Sequence, residues 1–158
     1  ATPWHQDGEY WPIRPLATCT VWIAIDDSTP DNGCLRVIKG SHKNKDLRQH
    51  NTNPDPNLTL NQELPLTEYD EERAEDIVLE AGQMSLHDVF IVHGSAANTS
   101  GKSRRGMTLR LMPTTSVYDR QIAREQHEKI GIVDHSVRTL FLMRGKDASG
   151  QNDFRIRL

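Results

Sequence analysis

The apolar residues of this chain come in short runs, each stopped within a few positions by turn formers, and that rhythm limits the fold more than any other feature. Residues 17 to 26, Ala-Thr-Cys-Thr-Val-Trp-Ile-Ala-Ile-Asp, are β-branched and apolar and predict a well-buried strand. Asp26 to Gly33 is dense in turn formers and ends in Asn32-Gly33, a strong turn signal. A second strand, Cys34 to Ile38, follows and stops at Gly40-Ser41, so the pair reads as an antiparallel hairpin. Further strands are predicted at Asp76 to Glu80, Met84 to His93 and Arg105 to Met112, the last ended by Pro113. Tyr118 to Lys129 has the pattern of an amphipathic helix, and Thr139 to Met143 reads as a final short strand. Many short strands without alternating helices predict an all-β-dominated sandwich or barrel, a jelly roll with minor helices.

Residues 42 to 75 break the rhythm. They are polar, carry Pro54, Pro56 and Pro65, and are acidic from Glu68 onward. A loop of this length inside a compact domain predicts a variable insertion, a lid or a disordered segment, and its acids read most simply as a solvated face. The 158 residues otherwise fit one domain, with this insertion at about 42–75 and a C-terminal extension at about 114–158.

Composition narrows the function class. Hydrophobic residues make up 35% and charged ones 26%, the balance of a soluble globular protein. A formal charge of −3 gives no reason to expect nucleic acid or an anionic membrane as partner, and no apolar run approaches the length of a membrane span. Cys19 and Cys34 lie in β-like runs, where two free thiols of a cytoplasmic enzyme are a plainer reading than a disulfide.

The chemistry-bearing residues begin at His5-Gln6-Asp7, four residues into the chain, a position that predicts further sequence ahead of it in the natural protein. In a strand, residues i and i+2 share a face, so one imidazole and one carboxylate would project together. Two histidines and one carboxylate on one face of an octahedron form the site of non-haem Fe(II) oxygenases, with positions left for an oxoacid and O₂. Alone, the tripeptide is weak. Its third partner has two candidates, His87 and His93, and their separation of six would put both on one face of an unbroken strand. The downstream context favours His93, which is followed by Gly94-Ser95, Asn98 and, eleven residues on, Arg104. An arginine on the next strand can pair bidentately with a carboxylate, as the far end of a metal-bound oxoacid requires. His87 then reads as a packing or supporting histidine.

Taken in order, His5-Gln6-Asp7, Trp22, Asn32-Gly33-Cys34-Leu35, Gly40-Ser41-His42, His93-Gly94-Ser95, Asn98 and Arg104-Arg105 resemble the phytanoyl-CoA dioxygenase superfamily of Fe(II)/2-oxoglutarate oxygenases. The likeness runs from the first residues to about Met112, and the segment from Arg144 to Phe154 is similar to bacterial members. The resemblance implies a double-stranded β-helix of cupin type, with His5, Asp7 and His93 holding iron. It also implies that Arg104 and Ser95 receive the distal carboxylate of 2-oxoglutarate and that Trp22 lines the co-substrate pocket. The expected reaction is hydroxylation of a small molecule with O₂, releasing succinate and CO₂. In related halogenases the carboxylate is replaced by a small residue, so Asp7 favours hydroxylation. Two departures stand out: Lys39 replaces the usual proline before Gly-Ser-His, and the family's N-terminal helices and strands ahead of the first motif are missing from this sequence.

Other residues have plainer readings. Glu9, Tyr10, Trp11 and Arg14 could face a cationic substrate, yet aromatic packing and a surface ion pair suit them better. Arg105 and Arg110 read as alternating with Arg104 or meeting surface acids, and His50, His127 and His135 need no role. Two other functions compete with the oxygenase. A non-catalytic jelly-roll binding module would not be expected to keep the full His/Asp/His/Arg set, and a cupin-type metalloenzyme would not need Arg104. Substrate identity and oligomeric state are not legible.

Overall fold

The computed structural model describes residues 1–155. In chain order the strands are β1 (Thr2–His5), β2 (Ile13–Arg14), β3 (Cys19–Ala24), β4 (Leu35–Ile38), β5 (Asn51–Thr52), β6 (Gln62–Glu63), β7 (Ala74–Ile77), β8 (Met84–Asp88), β9 (His93–Ser95), β10 (Gly106–Leu111) and β11 (Val117–Tyr118), followed by helix α1 (Arg120–Ile130). The chain groups into two compact units. One holds Ala1–Glu9 and Cys19–Leu111; the other holds Tyr10–Thr18 and the described residues from Met112 onward. No described helix is long and apolar enough to cross a membrane.

The first unit is built from antiparallel sheets, one of four strands in the order β1-β9-β4-β7 and one of three in the order β10-β3-β8. Its β-rich character agrees with the sequence pattern, but two connections differ from it. The strands flanking Asn32-Gly33 do not form a hairpin: β3 pairs β10 and β8, whereas β4 pairs β9 and β7. Here the turn carries the chain from one sheet to the other. Pro30–Asn32 make a 3₁₀ turn, the Asn32 side chain accepts from Thr29 N–H and donates to the Asp27 carbonyl, and Gly33 closes it at φ +78°. A Cβ at Gly33 would stand 2.5 Å from the Ala96 carbonyl oxygen, so the crossing needs glycine for room as well as conformation.

The second difference decides the site. The predicted strand from Met84 to His93 is broken into β8 and β9. The Asp88 carboxylate accepts from Phe90 N–H and its carbonyl from Ile91 N–H, and the turn between holds Val89, Phe90, Ile91 and Val92, all buried. Val92 packs with Ile38 and Leu64, with Trp4, Tyr69 and Ala74 against them. Burial of this apolar turn thus overrides strand continuity.

Residues 42–75 are ordered into the short β5–β6 hairpin and 3₁₀ turns. Lys39 is exposed and pairs with Glu75 at 3.2 Å, so the departure from proline costs no buried contact. Both cysteines are free.

In the second unit β2 pairs β11. Helix α1 starts where the Asp119 carboxylate accepts from Gln121 and Ile122 N–H and stops at Gly131, φ +66°. Trp11 is buried and stacks on His135 at 5.0 Å, with the Arg138 guanidinium over its ring 5.3 Å from the centre, which makes it a packing residue. The Asn152 side chain accepts from Tyr118 N–H and donates to the Ser116 carbonyl, tying the Arg144–Phe154 segment to β11. Thr139 to Met143, predicted as a final short strand, form none.

Candidate metal centre

His5, Asp7 and His93 converge. One ligand atom from each lies within 4.8 Å of the others, and all three residues are buried. His5 Nε2 is 3.6 Å and His93 Nε2 3.8 Å from Asp7 Oδ1. The pair does not come from one strand as the i, i+2 spacing predicts. β1 ends at His5, and Asp7 opens a 3₁₀ turn, Asp7–Glu9, whose Gly8 N–H donates to the Val89 carbonyl. His93 stands opposite His5 in the β1–β9 pair.

The residue between the two ligands was not singled out by its type, yet it sets the turn. Gln6 is fully buried; its side-chain NH₂ donates to the Asp46 and Phe90 carbonyls, and its Oε1 accepts from Arg48 N–H. Its backbone N–H donates to His50 Nε2 at 3.0 Å. His50 therefore has a structural role after all: Nδ1 bonds the Arg48 carbonyl, and burial lowers its pKa to about 4, keeping it neutral and able to accept. The insertion is fastened to the site through these bonds.

The donor set fits a metal ion. His5 Nδ1 lies 2.8 Å from the Pro3 carbonyl and His93 Nδ1 2.9 Å from the Ile91 carbonyl. A carbonyl only accepts, so each Nδ1 carries a proton and Nε2 is the nitrogen each ring turns toward Asp7, the orientation found for metal-bound imidazoles. Burial, opposed only in part by the Asp7 charge, lowers His93 to about 3, so it is neutral near pH 7. Burial alone would raise Asp7, but the adjoining His5, His93 and Arg110 outweigh it and hold the carboxyl well below its usual range. Two imidazole Nε2 atoms and one carboxylate leave a binding face for a hard or borderline divalent ion.

His87 lies on the opposite sheet from His93, its Nε2 3.9 Å from Asp7 Oδ2 and its ring 4.9 Å from that of His93. It sits outside the converging trio, and burial first of all lowers it to about 4. Arg110, read from sequence as a surface residue, instead points inward and reaches Asp7 Oδ2 at 3.3 Å. Arg110 lies six residues past Arg104, an even separation that would share a face in an unbroken strand, but β10 begins only at Gly106, so alternation from Arg104 could not fix where Arg110 points. Arg105 does meet a surface acid, bonding Asp26 through two nitrogens at 2.9 and 2.8 Å.

Arg104 and Trp22 come together, the guanidinium 5.9 Å from the ring centre. Trp22 also fills the space over Gly106, where a Cβ would be 2.3 Å from the ring. Ser95 lies two residues past His93 on β9, opposite Thr2.

The profile of the family described as phytanoyl-CoA dioxygenase (PhyH) matches residues 1–106. Among curated proteins, a phytanoyl-CoA dioxygenase domain-containing protein 1 homolog of Caenorhabditis briggsae is 36% identical over 115 residues, covering 68% of this chain and 39% of that protein. Among solved structures, the non-heme monooxygenase ThoJ is 28% identical with TM-score 0.61, covering 72% of this chain and 40% of the other. EvdO2 of Micromonospora carbonacea var. aurantiaca, solved with 2-oxoglutarate, is 25% identical with TM-score 0.59, covering 69% and 44%. The chain spans about two fifths of the length of the curated relatives it matches.

Proposed function

The chain belongs to the phytanoyl-CoA dioxygenase family, and from that premise we propose that it is an Fe(II)- and 2-oxoglutarate-dependent hydroxylase of a small molecule, releasing succinate and CO₂. The observation that carries this reading is the convergence of two Nε2 atoms and one carboxylate oxygen on a buried point. The two sheets would be the faces of a double-stranded β-helix, and residues 1–158 one oxygenase domain. EvdO2, at similar fold and coverage, is solved with 2-oxoglutarate, which supports the same co-substrate here.

In this reading His5, Asp7 and His93 hold the iron. When bound, iron with 2-oxoglutarate and O₂ supplies the oxidising power, and the protein supplies orientation and a dry enclosure. Arg104 receives the distal carboxylate of the co-substrate through a charge-assisted fork, with Ser95 beside it. Trp22 braces the Arg104 guanidinium through its ring face, which fixes where the fork points. His93 stays neutral near pH 7, so its Nε2 keeps a lone pair for the metal.

Anaerobic titration with Fe(II) and 2-oxoglutarate tests the reading. A visible charge-transfer band is expected only with both present, lost in His93→Ala and kept in His87→Ala. A folded chain that gives no band, or one in which His87→Ala alone removes it, refutes the assignment.

A further inference from the structure

The three inward positions nearest Asp7 form one row across the three-stranded sheet: His87 of β8 and Arg110 of β10 both stand opposite Thr20 of β3. All three turn toward a single atom, Asp7 Oδ2. Thr20 Oγ1 donates to it at 3.0 Å, Arg110 Nη2 lies 3.3 Å away and His87 Nε2 3.9 Å away. The other oxygen, Oδ1, is the one that faces His5 and His93. An unrestrained carboxylate can rotate and offer both oxygens to a metal. A hydroxyl and a guanidinium on Oδ2 occupy that oxygen's lone pairs and leave Oδ1 alone for coordination.

We infer that Thr20 and Arg110 are positioning residues that fix Asp7 as a one-oxygen ligand and thereby set how tightly the site holds its metal. The inference rests on the reading of His5, Asp7 and His93 as the metal ligands. Thr20 is buried and its uncharged hydroxyl donates to Asp7, so its effect is geometric. Arg110 adds a positive charge that by itself would repel a divalent ion, so removing it mixes two opposed effects. Replacing it with lysine keeps the charge and loses the planar guanidinium that places Nη2 on Oδ2, which isolates positioning.

The test measures Mn(II) affinity by electron paramagnetic resonance and the visible spectrum of the Co(II)-loaded chain, for wild type, Thr20→Val, Thr20→Ser, Arg110→Lys and the Thr20→Val/Arg110→Lys double variant. Thr20→Val and Arg110→Lys are each expected to weaken Mn(II) binding about tenfold or more, as lost outer partners of metal ligands do. Thr20→Ser restores affinity to near wild type, and the Co(II) spectrum changes in Thr20→Val but not in Thr20→Ser. The double variant loses less than the product of the singles, since both act through one oxygen. Unchanged affinity in folded Thr20→Val and Arg110→Lys overturns the inference, as does a strictly multiplicative loss. A wild-type chain that is folded and binds no metal overturns the ligand assignment and the inference together. Binding by wild type with indifferent variants overturns the inference alone.

Discussion

The two faces of the β10-β3-β8 sheet are made from the same three strands and have opposite chemistry. On the inward face, His87, Thr20 and Arg110 form one row around Asp7, and Ser85, Trp22 and Thr108 form the next. On the other face the rows are Leu86, Val21, Leu109 and Met84, Ile23, Met107. Leu86 is 64% exposed and Leu109 44%. Ordinary patterning would put the apolar rows inside. In this unit the interior-facing rows carry polar groups because they surround a charged carboxylate, which must be bonded where it is buried. The face that surrounds the candidate metal centre is therefore the one whose composition looks superficial.

That contrast can be broken by substituting the two faces in turn. The largest effect is expected from Asp7→Ala, which removes the carboxylate that both imidazoles face. Fe(II) binding should vanish in the anaerobic titration, and succinate release should fall at least about a thousandfold, equivalent to about 4 kcal/mol of transition-state stabilisation. Arg104→Ala comes next. It should raise the 2-oxoglutarate requirement about 10- to 100-fold, the scale of a lost charge-assisted pair, while Fe(II) affinity moves little; equal effects on both would show that Arg104 has been assigned wrongly. Gly106→Ala drives a Cβ into the Trp22 ring and should cost about 1–3 kcal/mol of stability by overpacking, read as a lower denaturation midpoint.

A smaller effect should come from pH, and it probes the buried imidazole that braces the ligand turn. His50 titrates at about 4 in the fold against 6.5 ordinarily, so the unfolded chain takes up its proton first. Its contribution to stability is complete above pH 6.5 and is lost as pH falls toward 4. The melting temperature should fall across that window, with a shallower slope in His50→Gln; an unchanged slope would mean that His50 is not held neutral. Least of all is expected from Leu86→Thr on the outward face, within about 0.5 kcal/mol in stability and with metal affinity unaltered. A larger drop breaks the comparison, because it means that Leu86 is packed in solution.

Much of the site was legible without coordinates. His5, Asp7 and His93, picked out together from the motif and the residues after His93, do converge, although Asp7 reaches that point from a turn and not from the strand its spacing predicted, and Arg104 lies by Trp22. Spacing failed where a sheet ended. His87 and His93 looked equivalent only while they shared one strand, and the apolar turn at 89–92 separates them onto opposed sheets. Arg110 was passed over because a charged residue in an alternating strand is most simply placed outward, and the face was inferred from composition rather than from what it surrounds. Gln6 and its bond to His50 had no signal at all, since the Gln6 bonds to Asp46, Arg48, His50 and Phe90 reach across 40 to 84 positions.

By itself the sequence determined a β-rich chain and the types and order of the residues that converge, since strand length, turn chemistry and side-chain chemistry are properties of single residues and their neighbours. Only the tertiary structure decided which histidine faces Asp7 Oδ1, which sheet face is inward, and what holds the second carboxylate oxygen. Those outcomes depend on which strands pair and which apolar turn is buried, and both are contests between segments far apart in the chain.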